Sequence, residues 1–290
     1  MITNLRLAWA VGLLSALTAA DHAVAQIVHA RGQNVVPVYE GWERNADGTF
    51  TMVFGYFNRN LEEEPIVPVG PGNLFEPGEA DRGQPTHFYP RRQQFMFRVP
   101  VPKDWGTREL VWILTSHGRT EKAYGSLLPV WEIGPQAYEQ NRRTTLLRRI
   151  DEPVNRPPSV KLVGAGTETV TLGQPVALTV SVSDDGLPPP SPRSRSGSGA
   201  AAAGPPTSPM GQAVVRLDPS WRLGVIWVHH RGPGTVTFDP MRQPIAEGAG
   251  GRAVTKASFS TPGTYVIRAY ADDGILLDSV DVTVVVKPAA

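Results

Sequence analysis

The sequence predicts an all-β chain: two β-sandwiches joined by a short, partly helical linker and preceded by an export signal. Three observations carry that expectation. Glycine (29) and proline (28) together make about a fifth of the 290 residues, which favours short strands and turns over long helices. Apolar side chains recur with period two in several separate segments, as in strands with one face on a core. The first 25 residues have the order of a secretory signal.

That order is Arg6, an apolar run from Leu7 to Ala20, and then Ala23-Val24-Ala25 before Gln26. The run is 14 residues long, short of the roughly 20 that a spanning helix needs. Cleavage after Ala25 is expected, leaving a periplasmic or extracellular chain with no membrane span.

The first sandwich is expected over residues 26–133. Phe50, Met52, Phe54 and Tyr56 alternate with smaller or polar residues, as do Phe95, Phe97, Val99 and Val101, and again Leu110, Trp112 and Leu114. Asn45-Ala46-Asp47-Gly48 and Ser116-His117-Gly118-Arg119 read as hairpin turns, with Gly supplying the positive φ. The Pro- and Gly-rich stretch 65–90 reads as an ordered loop or a set of edge strands. Residues 134–156 follow as the linker, where Arg142, Arg143, Arg148 and Arg149 surround Leu146, Leu147 and Ile150. A short amphipathic helix ending before Pro153 is expected there.

The second sandwich is expected over residues 157–287. Val176, Leu178, Val180 and Val182 alternate with small residues, as do Val280, Val282, Val284 and Val286. Trp227, in step with Val225 and His229, is expected on the core face of its strand. Residues 188–212, PPPSPRSRSGSGAAAAGPPTSPMGQ, offer almost no core surface and read as a disordered insertion in a loop. Each sandwich is expected to keep its own core and to melt on its own.

The formal charge of +1 gives no whole-chain attraction to nucleic acid. The absence of cysteine excludes disulfides, thiol nucleophiles and Cys-ligated zinc. The motifs H-E-x-x-H, G-x-S-x-G, G-x-G-x-x-G and the P-loop do not occur, so no sequence support exists for the chemistries they carry. His229 and His230 are adjacent, point to opposite faces of a strand, and read as polar positions near a strand end.

Two candidate sites stand out. Asp184-Asp185-Gly186 and Asp272-Asp273-Gly274 close two loops expected at the same end of the second sandwich. Four carboxylates there would suit Ca²⁺, the one cofactor considered, although Asp-Asp-Gly is also good turn chemistry. Among the aromatics of the first sandwich, Phe57 and Trp105 are the pair expected to be exposed and to offer sugar rings a platform, whereas Trp42, Tyr56, Phe88 and Tyr89 read as core. Glu62, Glu63 and Glu64 read as a solvated edge.

DGTFTMVFGYFNRN, PVGPGNLFEPGEADRGQPTHFYPRRQQFMFRVPVP and LVWILTSHGRTEKA, within residues 47–123, resemble a β-sandwich module of bacterial exported and surface proteins. PPSVKLVGAGTETVTLGQPVALTVSVSDDGLP, WVHHRGPGTVTFDP and STPGTYVIRAYADDGILLDSVDVTVVV resemble the PKD-like immunoglobulin-like repeats of bacterial secreted proteins. The second resemblance implies an immunoglobulin-like domain of seven strands in two sheets, with Trp227 between the sheets and Tyr265 at the tyrosine of a P-G-x-Y motif. Together they imply a non-catalytic envelope protein with a structural, adhesion or binding role, whose partner is a cell-envelope glycan or another envelope protein and not nucleic acid. The alternative is a carbohydrate-binding accessory protein or a small glycan-acting hydrolase.

Overall fold

The computed structural model describes residues 29–134, 137, 154–187, 221–245 and 251–289. The signal (1–25), the helix expected in the linker and the insertion (188–212) lie outside the described residues.

Among the described residues, six strands build the N-terminal half. β1 (Val35–Arg44), β2 (Phe50–Asn58) and β4 (Arg91–Val101) form one antiparallel sheet in that order, while β3 (Asn73–Glu76), β5 (Leu110–Ser116) and β6 (Arg119–Gly125) form the other. Met52, Phe54, Phe97, Phe75 and Trp112 pack between the sheets. The aromatic rings meet edge-on or stacked, with Phe97 and Trp112 at 5.0 Å and 89°, an arrangement that adds to the area each ring buries. The β5–β6 hairpin turns at His117 (φ 48°) and Gly118 (φ 72°), the two left-handed positions that a two-residue hairpin loop requires.

Alternation fails at one expected place. Phe95 has φ 54°, and the β2–β4 register shifts between Phe54 and Tyr56. The bulge turns Phe95 away from Phe97 and onto Val53 and Leu276, and Met96 enters the core in its place. Three residues of β4, Gln94 to Met96, oppose Gly55 alone, and such an insertion re-aims the side chains beside it.

The C-terminal half has nine strands among the described residues, where the resemblance implied seven. These are β7 (Ser159–Leu162), β8 (Thr167–Thr171), β9 (Val176–Ser183), β10 (Gly224–Arg231), β11 (Val236–Asp239), β12 (Arg242–Pro244), β13 (Gly251–Phe259), β14 (Gly263–Asp272) and β15 (Leu277–Lys287). Five form the sheet β12-β10-β14-β15-β8 and four the sheet β11-β13-β9-β7. Part of the excess comes from a strand that changes sheets. β11 pairs with β13, Pro240 interrupts the ladder because it lacks an N–H, and β12 resumes on β10. Val225, Trp227, Ile267, Ala269, Val282 and Val284 face Leu178, Val180 and Ala253 across the core. Trp227 is fully buried there, as its spacing predicted. Tyr265 is equally buried, and its hydroxyl donates to the Thr261 carbonyl at 2.8 Å, tying down the corner before β14.

The two halves do not keep separate cores, which corrects the expectation of one core for each. Seven consecutive residues of β10, Gly224 to His230, are buried, so both faces of the strand are covered. Val225 and Trp227 belong to the C-terminal core, whereas Ile226 and Val228, with Tyr270 and Leu277, belong to the core of the N-terminal half. Trp227→Ala is therefore expected to remove about 3–5 kcal/mol and to lower the stability of both halves in one transition. Calorimetry of wild type and variant checks this. An N-terminal transition that stays in place while the other moves would show that β10 does not couple them.

Candidate functional site at the junction of the two halves

The richest polar site among the described residues lies where β10 and β14 meet the N-terminal half. Its N-terminal wall is the loop from Ala80 to Tyr89 and the start of β4. Asn73 fixes this loop from below: its Nδ2 donates to the carbonyls of Val67 and Pro85, both at 2.9 Å, and its Oδ1 accepts from the Trp112 indole at 2.9 Å. Gln84 adds a bond from its Nε2 to Ala80 O and accepts the Arg82 N–H on its Oε1. This irregular loop is held by amide side chains because its backbone has few ladder partners.

From this wall the loop meets β10 residue by residue. The Thr86 N–H donates to His230 O at 3.0 Å and the Gly232 N–H donates to Thr86 Oγ1 at 3.1 Å. The His229 N–H donates to the Tyr89 hydroxyl at 2.9 Å, and the Tyr89 N–H donates to the Tyr56 hydroxyl at 2.9 Å. His230 Nε2 lies 2.9 Å from Gly83 O. Arg231 forks onto both carboxylate oxygens of Asp81, at 2.6 and 2.9 Å, and donates from Nε to Gln84 O. The Asp81 carboxyl is held below its usual range chiefly by that hydrogen bond from Arg231. On β14, the Tyr270 hydroxyl and Arg268 both donate to Met96 O, at 2.6 and 3.0 Å, while Arg268 also pairs with Asp281 on β15 at 2.7 Å.

Gly232 is required where it stands. Its φ is 136°, and a Cβ there would collide with the Tyr265 ring. The ring of His229 is sandwiched: His87 lies 4.5 Å away at 31° and Tyr265 at 5.4 Å. Nδ1 of His87 and Nδ1 of His230 have no hydrogen-bond partner, and the His229 ring has none among side chains, with only the backbone of Arg231 and Gly232 beside it. His87 Nε2 meets Glu64 at 2.8 Å. Burial first, and the neighbouring His87 second, pull the His229 pKa down to about 3; burial likewise holds His230 well below the ordinary histidine value.

The sequence reading of these histidines needs correction. His229 and His230 are 1% and 2% exposed, and they bridge the two halves instead of marking a wet strand end. A usable signal was present: Val225-Ile226-Trp227-Val228 is a continuous apolar run, the mark of a strand covered on both faces.

The expected aromatic platform is also corrected. Trp105 is 5% exposed; its indole N–H donates to Arg108 O at 2.7 Å, and the Arg108 guanidinium lies over its ring at 4.5 Å. The loop folds back over its own tryptophan because the indole brings the largest apolar area there. Phe57 is half-buried under the Arg91 guanidinium, at the opposite end of the β2–β4 pair. The two rings form no common surface. Glu62, Glu63 and Glu64 go to separate partners: Arg31 at 3.8 Å, His117 at 2.9 Å and His87.

The acidic loops come to the same end, as expected, joined through adjacent residues: Asn155 donates to Asp273 at 2.9 Å and the Arg156 N–H donates to Asp185 at 3.0 Å. Their carboxylates act as turn and ion-pair acceptors. Asp184 pairs with Arg222 at 2.6 Å, Asp185 accepts the Leu187 N–H, Asp272 accepts the Gly274 N–H, and Asp273 accepts the N–H groups of Ile275 and Leu276. Burial raises the Asp273 pKa to about 6. Among the described residues no group of three or more His, Cys, Asp or Glu is placed to hold a metal ion, and no helix is long and apolar enough to cross a membrane.

No known protein family matches the chain, and no curated protein does. Among solved structures it is similar to domains 4 and 5 of the S-layer protein SbsC, at 11% identity over 62% of this chain and 65% of that one, with a TM-score of 0.24. It is similar to the eight N-terminal Ig domains of DSCAM at 6% identity over 89% of this chain and 27% of that one, TM-score 0.25. It is also similar to the D00-D0 domain of intimin, at 10% identity over 87% of this chain and all of that one, TM-score 0.26. The chain spans less than two thirds of the SbsC and DSCAM chains it matches.

The hydrogen bonds of the junction are unequal. Tyr89→Phe leaves the buried His229 N–H with no acceptor and is expected to cost about 1–3 kcal/mol. Tyr270→Phe leaves Met96 O still satisfied by Arg268 and is expected to cost about 0.5–1.5 kcal/mol. Denaturant unfolding of both variants checks the ranking, and equal losses would mean that Tyr89 is not the acceptor on which the His229 N–H depends.

Proposed function

We propose that the chain is an exported, non-catalytic envelope protein whose role is structural or adhesive. One observation supports this most: the buried polar groups between the halves are spent on holding one sandwich rigidly against the other. Arg231, His230, Tyr89, Thr86 and Tyr270 all bond across that boundary. A boundary of this kind suits a module that keeps a fixed spacing and direction between its ends. The signal-like order of the first 25 residues supports export, and the resemblance of both halves to modules of bacterial surface proteins supports the setting.

Two experiments test the reading. N-terminal sequencing of material recovered outside the cytoplasm should find Gln26 as the first residue; an intact Met1 chain in the membrane fraction would count against cleavage. Retention of the exported protein on peptidoglycan, cellulose and chitin should be measured beside a glycosidase assay. Retention without turnover fits an adhesive role and loss of both fits a purely structural one, whereas turnover ends the non-catalytic reading.

A further inference from the structure

We propose that the junction is an acid-weakened latch, held closed while His229 and His230 are uncharged and more easily opened when they take up protons. This does not rest on the proposed function.

The geometry of the junction carries it. The His229 ring is buried between His87 from the Ala80–Tyr89 loop and Tyr265 of β14, with the backbone of Arg231 and Gly232 as its only polar neighbours beside those rings. A second proton on that ring would meet no side-chain acceptor in the closed junction, and the two backbone contacts do not offset the loss of water. Every charged group around it is the wrong sign or already engaged. Arg231 on its own strand is bound to Asp81 of the loop, and Arg268 of β14 is bound to Asp281 of β15. Glu64, the remaining acid, sits on His87 and not on His229. The other titratable groups on the ring and its backbone are tyrosines: Tyr265, and Tyr89 through its hydroxyl. His230 is enclosed by the same two arginines, and its one polar contact is Gly83 O, with Nδ1 left over. Separating the halves would give both rings to water, where a charged imidazole is solvated, so acid favours separation.

The sign follows from linkage. A histidine whose pKa is depressed in the closed state favours closure above its free value of 6.5, and that contribution is lost progressively as pH falls from 6.5 toward 3. For His229 alone, moving from pH 7.5 to pH 5 should raise the open fraction about thirtyfold. His230 adds in the same direction.

Hydrogen exchange of the full chain between pH 7.5 and 5, corrected for intrinsic rates, reads this directly. The N–H groups of Thr86, His229 and Gly232 cross the junction, whereas the β9–β13 ladder lies within the C-terminal half. The junction amides should lose protection about thirtyfold or more while the ladder amides hold. His229→Phe keeps an aromatic ring in the slot, cannot take up a proton, and should remove most of that thirtyfold. Junction and ladder amides losing protection together, or an undiminished loss in His229→Phe, would overturn the latch. Should that variant fail to fold, the wild-type His229 ring signal followed by NMR decides. Titration in step with loss of junction protection supports the latch, and titration near pH 6.5 with the junction still protected overturns it.

Discussion

The structure depends on one strand that is buried on both sides. β10 contributes Val225 and Trp227 to the C-terminal core and Ile226 and Val228 to the N-terminal one. An outer face of a sandwich normally meets water; here it meets a second sandwich. The apolar part of the junction follows from that: Tyr270 and Leu277 join the same N-terminal core, and Leu276 packs on Phe95. Burying about four such side chains at once contributes on the order of 6–12 kcal/mol before ordering costs, comparable with the stability of a whole small domain.

Burial on that side strips water from the backbone of β10 beyond its ladder, and the Ala80–Tyr89 loop replaces it. The loop is irregular, so its own N–H and C=O groups also need partners. Each deficit answers the other. Thr86 N–H and His230 O satisfy each other, Gly83 O meets His230, and Gln84 O meets Arg231. The bulge at Phe95 belongs to the same arrangement, since turning Phe95 outward gives Leu276 a surface to pack on and leaves Met96 O facing Tyr270 and Arg268. A chain with a regular β4 would present neither.

Much of the fold was legible because period two is a local property. Met52, Phe54, Trp112, Leu178, Val180, Val282 and Trp227 all face the cores that their spacing assigned. The hairpin at His117-Gly118 was equally legible, because positive φ has few sequence solutions. The reading failed where a contact is distant in sequence. Nothing near Phe95 announces a bulge, whereas Trp105 is a local miss, covered by Arg108 three positions on. The junction joins residues 140 to 174 positions apart, so its partners could not be read from spacing. What was readable and overlooked is the unbroken apolar run beside His229 and His230, which already requires two covered faces.

That run also accounts for why the histidines are left incompletely bonded. A strand covered on both sides has no solvent to satisfy a ring nitrogen, and the opposing loop spends its acceptors on β10's backbone and on Arg231. His229 is left with stacking against His87 and Tyr265 and with the backbone of Arg231 and Gly232. A phenylalanine would fill the slot without an unsatisfied N–H, which costs about 1–3 kcal/mol when buried. Packing therefore does not explain an imidazole at this position. The property that distinguishes it from phenylalanine in that slot is its capacity to acquire a charge, and the junction is the part of the molecule where acquiring one has the largest structural consequence.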